Sequence, residues 1–358
     1  MDISKIDKNF SVEYKDEGGA VFYDVRNEPF RVYGLYDYKN QDRFKRLPDE
    51  VAENVSQGVK GLYLDTAGGR VRFSTSSPYI VIEAELSGAK EMVHMPLSGS
   101  AGFDLYEDGE LSSEYRGSFL PPYRPNGVYR SKLAVRGGRM RDYTVSFPLY
   151  CGVKRLLIGL AEGSELGPGR KYKNAHPVVY YGSSITQGGC ASRPGNSYQG
   201  IVARRLGLDF INLGFSGNGR GERAIVDYMA SLDMCAFVSD YDHNAPSAEH
   251  LDKTARDMYR TIRAAHPDMP YIMMTKPDFR KLDEPQSIER RGVLFNIYSE
   301  GVATGDGNLY FVDGEALFRG PYREMCTVDG THPNDMGFAL MADAVCDALS
   351  HALFDKEL

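Results

Sequence analysis

The spacing of apolar positions changes near residue 170. Upstream it alternates: within 79–86, Ile80, Ile82, Ala84 and Leu86 share one side and Glu83 and Glu85 the other, the two-residue period of a half-buried strand. Tyr143, Val145 and Phe147 alternate with Asp142, Thr144 and Ser146, and short apolar runs at 71–73 and 156–160 are bounded by Gly, Pro and Ser. An Asp108-Gly109 turn signal makes 103–106 the first arm of a hairpin. Little helix and several closely spaced strands predict an antiparallel, jelly-roll-like β-sandwich over residues 1–165.

Residues 163–173 are rich in Gly and charge and have no period, so 166–175 is read as the linker. Beyond it, apolar runs at 178–181, 210–213, 235–238, 271–274 and 309–312 alternate with amphipathic segments near 198–206, 222–231 and 286–300. Another such segment carries Leu251, Ala255, Met258 and Ile262 on one face. The last, after Asn334, places Met341, Ala344, Val345 and Ala348 at helical spacing. Five strands joined by helices predict a doubly wound α/β domain over 176–358 with a five-stranded parallel sheet, because parallel strands need crossovers. Ligands of such a sheet bind at the carboxyl ends of its strands.

Composition narrows the partners. The 358 residues carry 42 Lys+Arg against 49 Asp+Glu, a formal charge of −7, and no basic stripe is present, which argues against nucleic acid. Neither an export signal in the acidic residues 1–8 nor an uncharged apolar run of about 18 residues is seen, so a soluble, cytoplasmic protein without membrane contact is expected. Cys151, Cys190, Cys235, Cys326 and Cys346 are odd in number and scattered, which fits reduced thiols. The terminal Asp355-Lys356-Glu357-Leu358 has the wrong order for a retention signal. Trp is absent and Tyr numerous, 24 in all.

Three turns at strand ends and one loop before the last helix carry candidate chemistry. Gly182-Ser183-Ser184-Ile185-Thr186 is a small-residue turn into a helix. Alone it reads equally as a tight turn or an exposed nucleophile, and as a phosphate cradle it lacks the required lysine. Asp329-Gly330-Thr331-His332 sets a carboxylate three residues before a histidine, so one loop can orient an imidazole that takes a serine proton. The turns 212–219 and 240–246, after the second and third strands, hold glycines and asparagines that can offer donors to an oxyanion. Asp240, Asp242 and His243 raise a metal alternative, but no other cluster has ligand spacing, and neither metal nor cofactor is expected.

Taken together, in order, these blocks resemble the SGNH (GDSL-type) hydrolase superfamily over roughly 176–350. The resemblance implies a flavodoxin-like sheet, Ser184 as nucleophile and first oxyanion donor, Gly217 and Asn244 as further donors, and Asp329 and His332 completing the set. Ser183 replaces the usual acid of the opening block, and 242–245 keeps only the asparagine of the third. Gly102-Phe103-Asp104-Leu105-Tyr106 is similar to the Gly-x-Asp-Leu-Tyr motif of a β-sandwich domain that precedes such hydrolases. Its role is read as structural, with Asp104 buried and hydrogen-bonded. The implied function is a serine esterase removing small acyl groups, acetyl foremost, from a small-molecule or oligosaccharide ester. Alternatives are a thioesterase or lipase-like acylhydrolase on the same residues, or a carbohydrate-binding protein with an inactive hydrolase domain. Tyr123 and Tyr129, in a Pro-rich stretch, are candidate stacking residues for a sugar.

Overall fold

The computed structural model describes residues 6–7, 18–278 and 285–354. Most of the amino-terminal stretch 1–8 and all of the terminal 355–358 lie outside the described residues. The first half contributes β1 (Ala20–Asp24), β2 (Arg31–Tyr33), α1 (Asp49–Val55), α2 (Gln57–Leu62), β3 (Arg70–Thr75), β4 (Tyr79–Ala89) and α3 (Leu97–Ser100). Then follow β5 (Phe103–Asp108), β6 (Ser113–Phe119), β7 (Gly127–Ala134), β8 (Arg141–Ser146), β9 (Cys151–Ala161) and β10 (Leu166–Pro168). One antiparallel sheet has the order β1-β9-β4-β7, and the other β10-β3-β8-β5-β6 with β2 also on β3. Ile80, Ile82, Ala84 and Leu86 of β4 point into the core between them, as their alternation requires.

Two local readings change. The expected linker 166–175 begins as β10, an edge strand paired antiparallel to β3. It is three residues long and ends in Pro168, which an edge tolerates, so no side-chain period announces it. Tyr129 is the second departure. Along β7, Val128 is 56% exposed and Tyr129 7%. Strand alternation thus turns the Tyr129 ring into the sandwich core, and it offers no stacking face to a ligand.

The second half forms β11 (Val178–Gly182), α4 (Ser184–Gln187), α5 (Tyr198–Leu206), β12 (Phe210–Gly214), α6 (Arg223–Ala230) and β13 (Ala236–Asp240). It continues with α7 (Ala248–Ala265), β14 (Tyr271–Met274), α8 (Pro285–Ala303), β15 (Leu309–Val312) and α9 (Asp335–Leu353). The strands are parallel in the order β12-β11-β13-β14-β15. Val178 and Tyr180 of β11 face α5 and α9, while Val179 and Tyr181 face the opposite layer. That opposite layer is completed by the first half: Leu47, Ala52, Val59 and Leu62 pack into the same apolar cluster as Phe215, Ile225 and Leu251. By length and composition α9 could cross a membrane, yet its Met341, Val345 and Leu349 are buried against the sheet.

Candidate active site

β11 ends at Gly182, where a side chain would collide with Thr186 and with the Asp240 backbone of the neighbouring strand. Glycine therefore lets the chain turn directly into α4. Ser183 caps that helix: its hydroxyl accepts from the Ile185 N–H at 3.1 Å, and Thr186 Oγ1 accepts from the Ser183 N–H at 3.1 Å. A serine thus does the capping work open to an acid at this position. Ser184 is the first helical residue, so its N–H has no partner within the helix, and none is found among the described residues. Tyr150, from the end of the first half, donates to the Ser184 carbonyl at 3.2 Å.

The Asp329–His332 loop closes on itself before α9. Val328 N–H donates to the His332 carbonyl at 3.0 Å, and Asn334 caps α9. His332 Nε2 lies 2.9 Å from Ser184 Oγ, and its Nδ1 lies 2.7 Å from Asp329 Oδ2. Burial pushes the Asp329 carboxyl up, but hydrogen bonds from the His332 N–H, the His332 ring and the Thr331 N–H outweigh it and hold the group at about 2. An ionised Asp329 keeps the proton on Nδ1, which leaves the Nε2 lone pair facing the serine hydroxyl.

The remaining expected donors lie on the neighbouring turns. Gly217 has φ +68°, and its N–H has no hydrogen bond among the described residues. Asn244 ends a 3-10 turn, Asp242–Asn244, and its Oδ1 accepts from the Gly219 N–H at 3.3 Å. With the oxygen engaged, the amide nitrogen is the end left to donate. Tyr123 is 87% exposed and lines a cavity of about 580 Å³ with Lys90, Met92, Met95 and Asn126. Val93 and Met95 of that wall flank His94, whose ring centroid is 5.7 Å from that of His332.

Several supporting residues were not legible in the sequence. Gln187 Oε1 accepts from the Ser216 N–H at 3.0 Å, one residue before Gly217, while Nε2 donates to Asp65 Oδ2 and to the Leu149 carbonyl. Asp65 is buried in the first half and takes Lys90 on its other oxygen at 2.5 Å. Gln187 stands inside the serine motif, but nothing in the motif reveals its partners. The Gly-x-Asp-Leu-Tyr segment is a clamp: Asp104 is buried and accepts from the Gly195 N–H at 2.7 Å, and Tyr106 stacks under Arg204. Asn196 in turn donates to Asp335 at 2.7 Å, at the start of α9.

Donor atoms of Asp240, Asp242 and His243 also gather within 4.8 Å of one another. Asp240 Oδ2 accepts from Thr186 and Tyr198, and Asp242 is held by His243 and the Lys276 N–H, while Asp240 Oδ1 and His243 Nε2 are buried without a hydrogen bond among the described residues. Asp240 thereby ties α4 to the end of β13, and Asp242 ties its own turn to the segment after β14.

The fold recurs in solved structures. A Bacteroides ovatus protein assigned to the GDSL-like lipases is 27% identical, with a TM-score of 0.83 over 93% of this chain and 98% of its own. The salicylyl-acyltransferase SsfX3 of a tetracycline biosynthetic pathway is 19% identical, with a TM-score of 0.77 over 93% and 97%. A family two carbohydrate esterase from Clostridium thermocellum, solved with cellohexaose, is 14% identical, with a TM-score of 0.62 over 90% and 99%. No curated protein matches the chain by sequence. Residues 20–166 match the N-terminus of SGNH-hydrolase-type esterases, and residues 175–350 match the GDSL-like lipase/acylhydrolase family. The chain is thus a member of the GDSL-like lipases and acylhydrolases, in the form that carries the SGNH-esterase amino-terminal domain.

Proposed function

We propose that the protein is a serine esterase that removes small acyl groups, acetyl foremost, from carbohydrate through an acyl-enzyme on Ser184. The observation that carries this reading is the unbroken relay from Ser184 Oγ through His332 to Asp329, at 2.9 and 2.7 Å. Ser184 Oγ attacks the ester carbonyl as His332 Nε2 takes its proton, and the imidazolium is stabilised by Asp329. The charge that develops on the carbonyl oxygen is met by the Ser184 and Gly217 N–H groups and the Asn244 amide. His332 then protonates the leaving alkoxide, and water repeats the sequence to release the acid.

The carbohydrate part draws on the site's surroundings. The cavity bearing Tyr123, Lys90 and Asn126 offers an aromatic face with polar neighbours, and its wall residues Val93 and Met95 flank His94, whose ring neighbours His332; such a cavity is a suitable seat for a sugar ring. Structures of like fold include an acetyl xylan esterase from Butyrivibrio proteoclasticus, 13% identical with a TM-score of 0.60. Acetate release from acetylated xylo- and cello-oligosaccharides, beside p-nitrophenyl acetate, tests the proposal. Turnover of p-nitrophenyl acetate with no acetate from any oligosaccharide removes the sugar. No turnover of either removes the esterase.

A further inference from the structure

Two side chains with no part in the proton relay approach His332. One donor atom from each of His94, Cys190 and His332 lies within 4.8 Å of the other two. His94 comes from the first half, between β4 and α3, and its exposed ring stands edge-on to His332 at an interplanar angle of 62°. Cys190 follows Gly188-Gly189 behind the serine, is 4% exposed and forms no disulfide. Its φ of +75° is uncommon for a residue with a side chain. The conformation aims a thiol at the relay that glycine, the usual occupant of such a position, would not supply.

The donor set is selective. Two imidazoles and a thiol suit Zn²⁺ and its softer neighbours, whereas magnesium and calcium prefer all-oxygen sites. His332 is also oriented as metal-bound histidines are: Asp329 accepts a hydrogen bond from Nδ1–H, which leaves Nε2 with its lone pair. The lone pair that receives the serine proton is the same one a cation would take.

We propose that His94, Cys190 and His332 form a binding site for a thiophilic divalent cation, Zn²⁺ foremost, and that the bound ion silences the serine by occupying His332 Nε2. The inhibitory half of this inference rests on the role of His332 argued above; the binding half does not. On binding, the Cys190 S–H bond breaks, its proton passes to solvent and an S–Zn bond forms. The fourth tetrahedral position falls to water or to Ser184 Oγ. The ion acts here as an inhibitor, and the relay itself uses none.

The test titrates p-nitrophenyl acetate hydrolysis with Zn²⁺ in the wild type, Cys190→Ser and His94→Ala, and follows Co²⁺ binding by its thiolate charge-transfer absorption. The wild type is expected to show saturable inhibition that EDTA reverses. Each variant should hydrolyse within about twofold of the wild type yet need about tenfold more Zn²⁺ or beyond for half inhibition. The thiolate band should appear in the wild type and in Ser184→Ala and vanish in Cys190→Ser. No thiolate band in the wild type, or Zn²⁺ sensitivity unchanged in both variants, overturns the proposal. Because Ser184→Ala reads binding without turnover, a failed esterase reading leaves the cobalt result standing and removes only the inhibitory role.

Discussion

Arg46 and Gly214 stand 168 residues apart, and the buried Arg46 guanidinium donates to the Gly214 carbonyl at 2.5 Å. The same side chain donates to the carbonyls of Asn212, Asp65 and Leu62 at 3.2, 2.8 and 2.8 Å and lies over the Phe215 ring. Burial pulls its pKa to about 10, so it remains a cation at neutral pH. Arg46→Leu leaves those four carbonyls without this donor and is expected to cost about 3 kcal/mol or more of stability. It should also lower kcat more than it raises KM, because the turn bearing Gly217 loosens. Arg46→Lys, a point charge that cannot span the set, should fall between. Urea unfolding decides this, and a leucine variant as stable as the wild type contradicts it.

Ser184→Ala and His332→Ala should each nearly abolish ester hydrolysis while the protein stays folded. Combining His332→Ala with Asp329→Asn should cost no more than His332→Ala alone, since losses within one proton-transfer unit do not add. Near-normal turnover by folded Ser184→Ala would falsify the nucleophile assignment. Adding EDTA should leave wild-type turnover intact, because every proton step in the relay is handled by side chains.

Asn244→Ala should lower kcat by about 10²–10³, on the order of 2.7–4 kcal/mol for one oxyanion donor, with little change in KM. Steady-state kinetics separate the two parameters. A pure KM effect would make Asn244 a ground-state binding contact.

Two carboxylates give opposite pH dependences. Asp329 is held at about 2, below its ordinary 3.8, so its contribution is present above about pH 4 and is lost as pH falls through 2. Burial raises Asp240 to about 7, with the Asp242 charge adding to the rise and His243, Thr186 and Tyr198 opposing it. Its contribution is complete below about pH 4 and is lost as pH climbs through 7. Asp240→Asn removes that ionisation in a side chain of the same shape. Its melting temperature should decline less than that of the wild type between pH 5 and 8. Parallel declines in the two proteins would argue that Asp240 does not titrate in this range.

The two tyrosines of the Pro-rich stretch should part company. Tyr129→Ala empties a core position and is expected to cost about 3–5 kcal/mol, as for other large aromatic truncations. Tyr123→Ala should leave stability unchanged and weaken kcat/KM for an acetylated oligosaccharide while sparing p-nitrophenyl acetate. Equal effects of Tyr123→Ala on both substrates would place sugar recognition elsewhere.

The strands of the parallel sheet could be read from residue patterns because each is a short apolar run, such as 271–274, between amphipathic helices whose faces repeat every 3.6 residues. That Ser184, His332 and Asp329 meet was legible for a different reason: a small-residue turn closes a strand at Gly182, and a carboxylate stands three residues before a histidine in the loop before the last helix. Arg46, Asp65 and Gln187 were not. Their meaning lies in contacts spanning up to 168 residues, and an arginine or aspartate carries no local sign that it will be buried. Tyr129 misled because its neighbours 121–127 are rich in turn residues, while the strand that decides its direction begins only at Gly127.

The helices at Asp49–Val55 and Gln57–Leu62 precede most of the sandwich yet pack into the apolar cluster that holds Val179, Tyr181 and Phe215. The hydrolase half is consequently no portable cassette. A chain started at residue 175 would expose an apolar flank and lose the guanidinium that pins β12. A chimera that borrows a sandwich from another esterase must bring, or retain, a counterpart of 44–66. Productive crossovers between such proteins therefore fall upstream of Phe44 rather than at the Gly-rich connection where the residue pattern changes.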